Sequence, residues 1–183
     1  LLTPQRHAKM QRYLDEETTN NIRSRPRIGL ARQLARNLLK AVGVKEPPIS
    51  LGEIIRHLQA TKNLSVEPVF DFGEKVSGVL VAFEDSATIG FNKKQSWYRR
   101  RFTIAHEIGH LLTNTVCGSV EEALNSNADG EVVANEFAAE LLIPLKILKA
   151  DFKKGVKSIE DLSERYRMSK EAVGWKIVHS GVL

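Results

Sequence analysis

Three side chains close together in the chain could do chemistry as a unit: His106, Glu107 and His110. Residues four apart lie on one face of an α-helix, so His106 and His110 would present two imidazoles one turn apart, able to share one metal ion. Glu107 falls roughly 100° further round the helix, beside such an ion rather than on it. A carboxylate there is placed to take a proton from a water that the ion acidifies. The neighbours Phe102, Ile104, Ala105, Ile108, Leu111 and Leu112 are apolar and predict a buried helix. His-Glu-x-x-His on a helix reads as two zinc ligands and the general base of a metalloprotease.

A catalytic zinc site takes three protein ligands and keeps one position open. The residues after His110, from Leu111 to Cys117, contain no histidine, which excludes the metzincin extension. The helical pattern from Glu131 to Pro144 offers three carboxylates, Glu131, Glu136 and Glu140. Its apolar positions Val133, Ala134, Phe137, Ala138, Leu141 and Leu142 define the core-facing side. Glu131 lies on the inner edge of that side and is the expected third ligand. Asn135, one turn on, is placed to bond the far nitrogen of a ligating histidine and hold its ring. Glu136 and Glu140 are expected on a solvated face.

The run Arg101-Phe102-Thr103-Ile104-Ala105-His106-Glu107-Ile108-Gly109-His110, followed by Glu131-x-x-Ala134-Asn135-x-Phe137-Ala138-Ala139-x-Leu141-Leu142-x-Pro144, resembles the ImmA/IrrE family of metallo-endopeptidases. The resemblance spans about residues 28 to 180. It implies a zincin-like fold with a gluzincin-like site: metal ligands at His106, His110 and Glu131, and a general base at Glu107. It implies zinc as the ion, with manganese also compatible with two nitrogens and an oxygen. The implied substrate is a protein, a repressor-type DNA-binding regulator in a mobile element or a stress response. Ile143 stands where the family often has Met, a conservative departure. Some members carry a long regulatory extension; this sequence stops at Leu183, and no sensing role is expected.

The elements that must position these residues are legible from periodicity. Ile28 to Val42 reads as an amphipathic helix stopped by Gly43. Ser50-x-x-Glu53 is a capping box opening a helix through Ile54, Ile55 and Leu58. The period then drops to two: strands are expected over Leu64–Phe70, Val76–Phe83 and Ala87–Phe91, with Glu84-Asp85-Ser86 as the turn between the last two. A strand beside the motif helix would offer its free edge to an extended peptide, but the sequence does not say which strand is the edge. Ser96 is the expected N-cap of the motif helix. Arg99-Arg100-Arg101 then oppose the helix dipole, and structural salt bridges are expected to compensate. Gly109, inside the helix, costs about 1 kcal/mol relative to Ala, which predicts the close approach of another backbone. Residues 114 to 130 read as a polar loop with a short helix near Val120–Leu124. Leu145 to Phe152 follows Pro144 as a helix. Two capped helices, opened by Ser158 and Ser169, form a helix-turn-helix-like pair over residues 158–180. Lys170, Lys176 and His179 are too few to predict base readout, and packing against the core is expected instead.

The expected fold is therefore α+β: a small antiparallel or mixed β-sheet packed on a mainly helical, zincin-like domain over residues 26–183, ending in that helix pair. Residues 1–25 carry five basic and three acidic side chains and too few apolar ones for a core, and read as a flexible or loosely docked arm. The hydrophobic fraction of 42% over 183 residues suffices for one real core. A single cysteine, Cys117, rules out an intramolecular disulfide and suits a reducing cytoplasm. No apolar run is long enough to span a membrane, so a soluble cytoplasmic protein is expected. The net charge of +5 admits an acidic partner or weak nucleic-acid contact without demanding either. His57, Tyr98, Tyr166 and His179 are the candidates for a residue that stabilises a tetrahedral oxyanion.

Overall fold

The structure is a computed structural model that describes residues 27–73, 76–114, 128–156 and 158–182. Helix α1 (Ile28–Val42) is followed by α2 (Leu51–Lys62), then β1 (Leu64–Val69), β2 (Gly78–Ala82) and β3 (Ala87–Asn92). The motif helix α3 (Trp97–Thr113) comes next, then α4 (Ala128–Leu142), α5 (Leu145–Lys153), α6 (Ile159–Tyr166) and α7 (Lys170–Ser180). The fold is α+β, seven helices and one three-stranded mixed sheet among the described residues.

Local signals set most boundaries. Gly43 ends α1 in the left-handed region at φ 78°, where a Cβ would be strained, and its N–H caps the carbonyls of Leu39 and Lys40. Ser50, Ser96, Ser158 and Ser169 open α2, α3, α6 and α7, and each hydroxyl accepts from the backbone N–H three residues on. Strands β1 and β2 are slightly shorter than their sequence patterns, because Phe70, Val76, Ser77 and Phe83 lie outside the paired stretch, and β3 runs one residue further than expected, to Asn92. Helix α4 starts earlier than expected, so residues 128–130 are helical rather than loop. Cys117, the possible helix at 120–124 and the arm at 1–25 lie outside the described residues.

The sheet order is β1-β3-β2. Strands β2 and β3 pair antiparallel across the Glu84–Ser86 turn, with Gly78 opposite Phe91 and Ala82 opposite Ala87. Strand β1 pairs parallel with β3, from Leu64 opposite Ala87 to Val69 opposite Asn92. Among the described residues two strands are therefore edges, and β2 is the one that runs beside α3. Ile89, on the central strand, is fully buried.

The core lies between the motif helix and α4, closed by α1 on one side and the C-terminal helices on the other. Ala105 and Ile108 of α3 meet Phe137, Ala138 and Leu141 of α4, and all five are 0% exposed. Burying a Phe, Leu or Ile side chain this completely contributes about 1.5–3 kcal/mol each. The second half of α4 is buried all round, not on one stripe. Glu136 is 7% and Glu140 1% exposed, which overturns the expectation that these two face solvent. The reason is α1, which covers that face and supplies matching cations. Arg32 reaches Glu136 at 2.9 Å and Arg36 reaches Glu140 at 2.8 Å. Lys176 of α7 closes on Glu140 from the other side at 2.8 Å. The expected packing of the last helix pair on the core is thus observed, through an ion pair as well as through Val173 and Ile177.

Candidate metal centre

Helix α3 enters the core with Ser96 as cap and leaves it at Asn114, whose left-handed conformation lets its N–H bond the His110 carbonyl. Between these ends, Thr103, Ile104, Ala105, Ile108 and Gly109 are buried, which fixes the rotation of the helix about its axis. His106 and His110 then emerge together on the side facing the start of α4. Their rings are 4.6 Å apart between centroids, and their Nε2 atoms are 3.0 Å apart.

Glu131, in the first turn of α4, completes the group. Its carboxylate oxygens lie 3.3 Å from His106 Nε2 and 3.2 Å from His110 Nε2. Donor atoms at the corners of a tetrahedral zinc site, with bonds near 2.0–2.1 Å, are about 3.3 Å apart. The three observed separations match that edge length, and two imidazole nitrogens with one carboxylate oxygen suit a borderline divalent cation. The residues present therefore fit a bound metal ion: His106, His110 and Glu131 are the group among the described residues able to hold one. Asn135 Oδ1 accepts from His106 Nδ1–H at 2.9 Å. With its oxygen aimed at the ring, it holds Nδ1 protonated and leaves Nε2 free to ligate.

How α3 and α4 come close enough is set by Gly109. A Cβ there would sit 3.1 Å from the Cα and carbonyl oxygen of Ala134 and 3.2 Å from Phe137 Cβ. The expected backbone approach is observed, and it places the first turn of α4 within reach of both histidines.

Glu107 is 9% exposed and lies on the flank of α3 that faces β2. Its Oε1 is 3.1 Å from where a Cβ at Gly78 would be, and such a Cβ would also overlap the Thr103 methyl. Only a glycine lets the edge strand pass this close to the carboxylate. Burial pushes the Glu107 carboxyl above its usual range, with the Glu131 charge adding to this and the two histidines opposing it. Burial pulls His106 down, but hydrogen bonding to Glu131, helped by the Glu107 and Glu131 charges and by Asn135, outweighs it and leaves the ring above its ordinary value. The hydrogen bonds from His106 and His110 hold Glu131 well below the usual carboxylate range.

Two other expectations fail. The cations Arg99, Arg100 and Arg101 form no salt bridge among the described residues. Arg99 bonds the Ser77 hydroxyl at 3.1 Å, and Arg101 donates to the Ile49 carbonyl at 3.0 Å. Nor can Tyr166 serve an oxyanion: it is fully buried and its hydroxyl bonds Asp151 at 2.8 Å. His179 is stacked on Trp175 and bonded to that residue's carbonyl, on the far helix α7. The contribution of Gly78 was missed from sequence; a glycine two residues into an apolar run was its only signal.

An α+β fold here sets two histidines of one helix against a glutamate of the next, a group that could hold a divalent cation. Residues 68–177, well over half the chain, match the peptidase M78 family, described as the IrrE N-terminal-like domain, and the chain belongs to that family. No functionally curated protein matches it significantly. Among solved structures, a Mycobacterium tuberculosis transcriptional regulator is similar with a TM-score of 0.58 at 15% identity, over 78% of this chain and 44% of that one. That likeness is one of fold, and this chain spans less than half the length of the mycobacterial protein. No helix among the described residues is long and apolar enough to cross a membrane.

Proposed function

We propose that the protein is a zinc-dependent endopeptidase that cuts a specific protein substrate, a repressor-type regulator of transcription, in the cytoplasm. The observation that carries this reading is the convergence of His106, His110 and Glu131 at 3.0 to 3.3 Å, with Glu107 alongside. We assign the three as metal ligands, with zinc preferred and manganese compatible, and Glu107 as the general base. Residues 26–183 would form the metallopeptidase domain and 1–25 an appended arm.

A divalent cation at this centre supplies Lewis acidity, polarising a scissile carbonyl and acidifying a water. The rest is the work of the chain. Glu107 accepts the proton of the attacking water and returns it to the leaving nitrogen. Asn135 keeps His106 in the tautomer that frees Nε2. The exposed edge of β2 would pair with an extended substrate backbone and bring it past Gly78 to Glu107. A closed second reading, nucleic-acid recognition by α6 and α7, is less well supported. Lys176, on the would-be reading helix, is 3% exposed and committed to Glu140, and Lys170 is paired with Glu160 at 2.7 Å.

The test has two parts. Metal analysis of the purified protein should find one zinc or manganese per chain, lost in His106→Ala and retained in Glu107→Gln. Glu107→Gln should slow substrate cleavage by about 10²–10⁴-fold. Cleavage products are identified by mass spectrometry in an extract treated with either form. A chain that takes up no divalent ion under any loading condition, or a Gln variant that cuts as fast as the parent, sinks the reading.

A further inference from the structure

A cavity of about 450 Å³ opens at the foot of α3, where that helix meets the start of α2. Three arginines line it: Arg100, Arg101 and Arg167. Among the described residues, none of the three is in an ion pair and no carboxylate lines the cavity. Arg101 is 8% exposed, and its one hydrogen bond is from Nη2 to the Ile49 carbonyl. The Nε atoms of Arg100 and Arg101 are both buried without a partner among the described residues. A buried donor left unmade costs about 1–3 kcal/mol, so the two arginines are held here at a cost, with their remaining guanidinium N–H groups as the donors left for a ligand. Burial, with the Arg167 charge beside it, pulls the Arg101 pKa down to about 10. The first turn of α2, from Ser50 to Gly52, adds backbone N–H groups and the positive end of a helix dipole.

The apolar lining is formed chiefly by Phe91, Trp97 and Ile104, with the Trp97 ring 5.0 Å from the Arg101 guanidinium that lies over it. We propose that this cavity binds a small phosphate monoester, with its phosphoryl group on the three arginines and the N-terminus of α2 and its organic body against Trp97, Phe91 and Ile104. Phosphate is favoured over carboxylate by donor count and charge. A monoester carries three strong acceptor oxygens and nearly two charges, and three guanidinium forks saturate it where they would exceed a carboxylate. The volume lies in the range of small-ligand pockets, and a cation as buried as Arg101 is out of reach of a nucleic-acid backbone lying on the surface. The cavity is separate from the metal centre. On α3, Arg101 precedes His106 by about 7.5 Å along the axis and points roughly 140° away from it. An occupant would therefore leave the peptide path along β2 open. It would act as an effector that ties α2 to α3.

The experiment is calorimetric titration of the chelator-treated protein with phenyl phosphate, inorganic phosphate and benzoate, with Trp97 fluorescence as a second readout. Phenyl phosphate should bind once per chain, at least tenfold tighter than inorganic phosphate, while benzoate binds weakly or not at all. Arg167→Gln, at an exposed helix end and safe for folding, should weaken phenyl phosphate at least tenfold, and Arg100→Gln should do the same. His110→Ala should leave binding unchanged, so that failure of this site and failure of the metal centre are read separately. The proposal is overturned if phenyl phosphate shows no saturable binding at millimolar concentration. It is equally overturned if benzoate binds as well, or if both arginine variants bind like the parent.

Discussion

Replacing Glu140 with Gln tests whether the buried charges that tie α4 to α7 act as the coordinates indicate. Glu140 is 1% exposed and accepts from Lys176 Nζ at 2.8 Å and from Arg36 Nε at 2.8 Å. The two cations are not equivalent. The Arg36 side chain is 47% exposed, so it can turn to water, and its ion pair is worth at most about 1 kcal/mol. Lys176 is 3% exposed and has no such route. Gln keeps the volume of Glu140 and removes its charge, so an ammonium is left buried without a counter-ion. Breaking a buried pair in this way costs about 3–5 kcal/mol. For a chain of this length each kcal/mol lowers the melting temperature by about 2–4 °C, which puts the expected drop near 10 °C. Lys176→Met in the same background removes the stranded charge and fills its space with an apolar side chain. The double variant should recover about 2–3 kcal/mol of the loss, as coupled neighbours do. Urea unfolding of the two single variants and the double one, with the m-value unchanged, gives the coupling directly. A loss under about 1 kcal/mol for Glu140→Gln would show that Lys176 reaches solvent, and the argument from burial would be wrong. A double variant no more stable than Glu140→Gln alone would show that the two side chains are not energetically coupled.

Other perturbations separate positioning from packing. Asn135→Ala should leave the fold intact and weaken metal binding about 10–100-fold, measured by competition with a chromophoric chelator; equal affinity would remove Asn135 from the site. Gly109→Ala gains about 1 kcal/mol of helix propensity but drives a methyl against the Ala134 backbone, an overpacking that costs about 1–3 kcal/mol. A net loss of roughly 1 kcal/mol in thermal unfolding is expected, and a more stable variant would show that α3 and α4 have room to part. Gly78→Ala should depress cleavage by more than its stability loss explains, since the new methyl meets Thr103 and the Glu107 carboxylate; a parental cleavage rate would mean that β2 moves freely there.

Much of this architecture is written locally. Four serine caps, the glycine stop after α1 and the switch from helical to alternating periodicity between Lys62 and Leu64 mark the elements without tertiary information. Strand order is not local. Nothing in Leu64–Val69 says that it pairs parallel with β3 and leaves β2 as the second edge, because that pairing depends on where α2 returns the chain. The arginines at 99–101 were misjudged for a related reason. A run of cations suggests acidic partners, yet the nearest groups supplied by the fold are a hydroxyl at Ser77, a carbonyl at Ile49 and one another.

The glutamates of α4 show where periodicity reaches its limit. Glu131, Glu136 and Glu140 sit on one helix, and hydrophobic spacing sorts them only by angle relative to the core stripe. What each does depends on what covers it. Glu131 is at the open end of α4, opposite two imidazoles. Glu136 and Glu140 lie under α1, where Arg32 and Arg36 repeat their four-residue spacing and meet them one to one. That matched spacing is a sequence signal, though only in combination, since neither pair alone says which helix it faces. Read together, two cations four apart on an amphipathic helix and two anions four apart on an apolar one predict a covered, paired face. The same comparison leaves Glu131 without a matching cation on α1, in keeping with the metal-ligand role proposed for it.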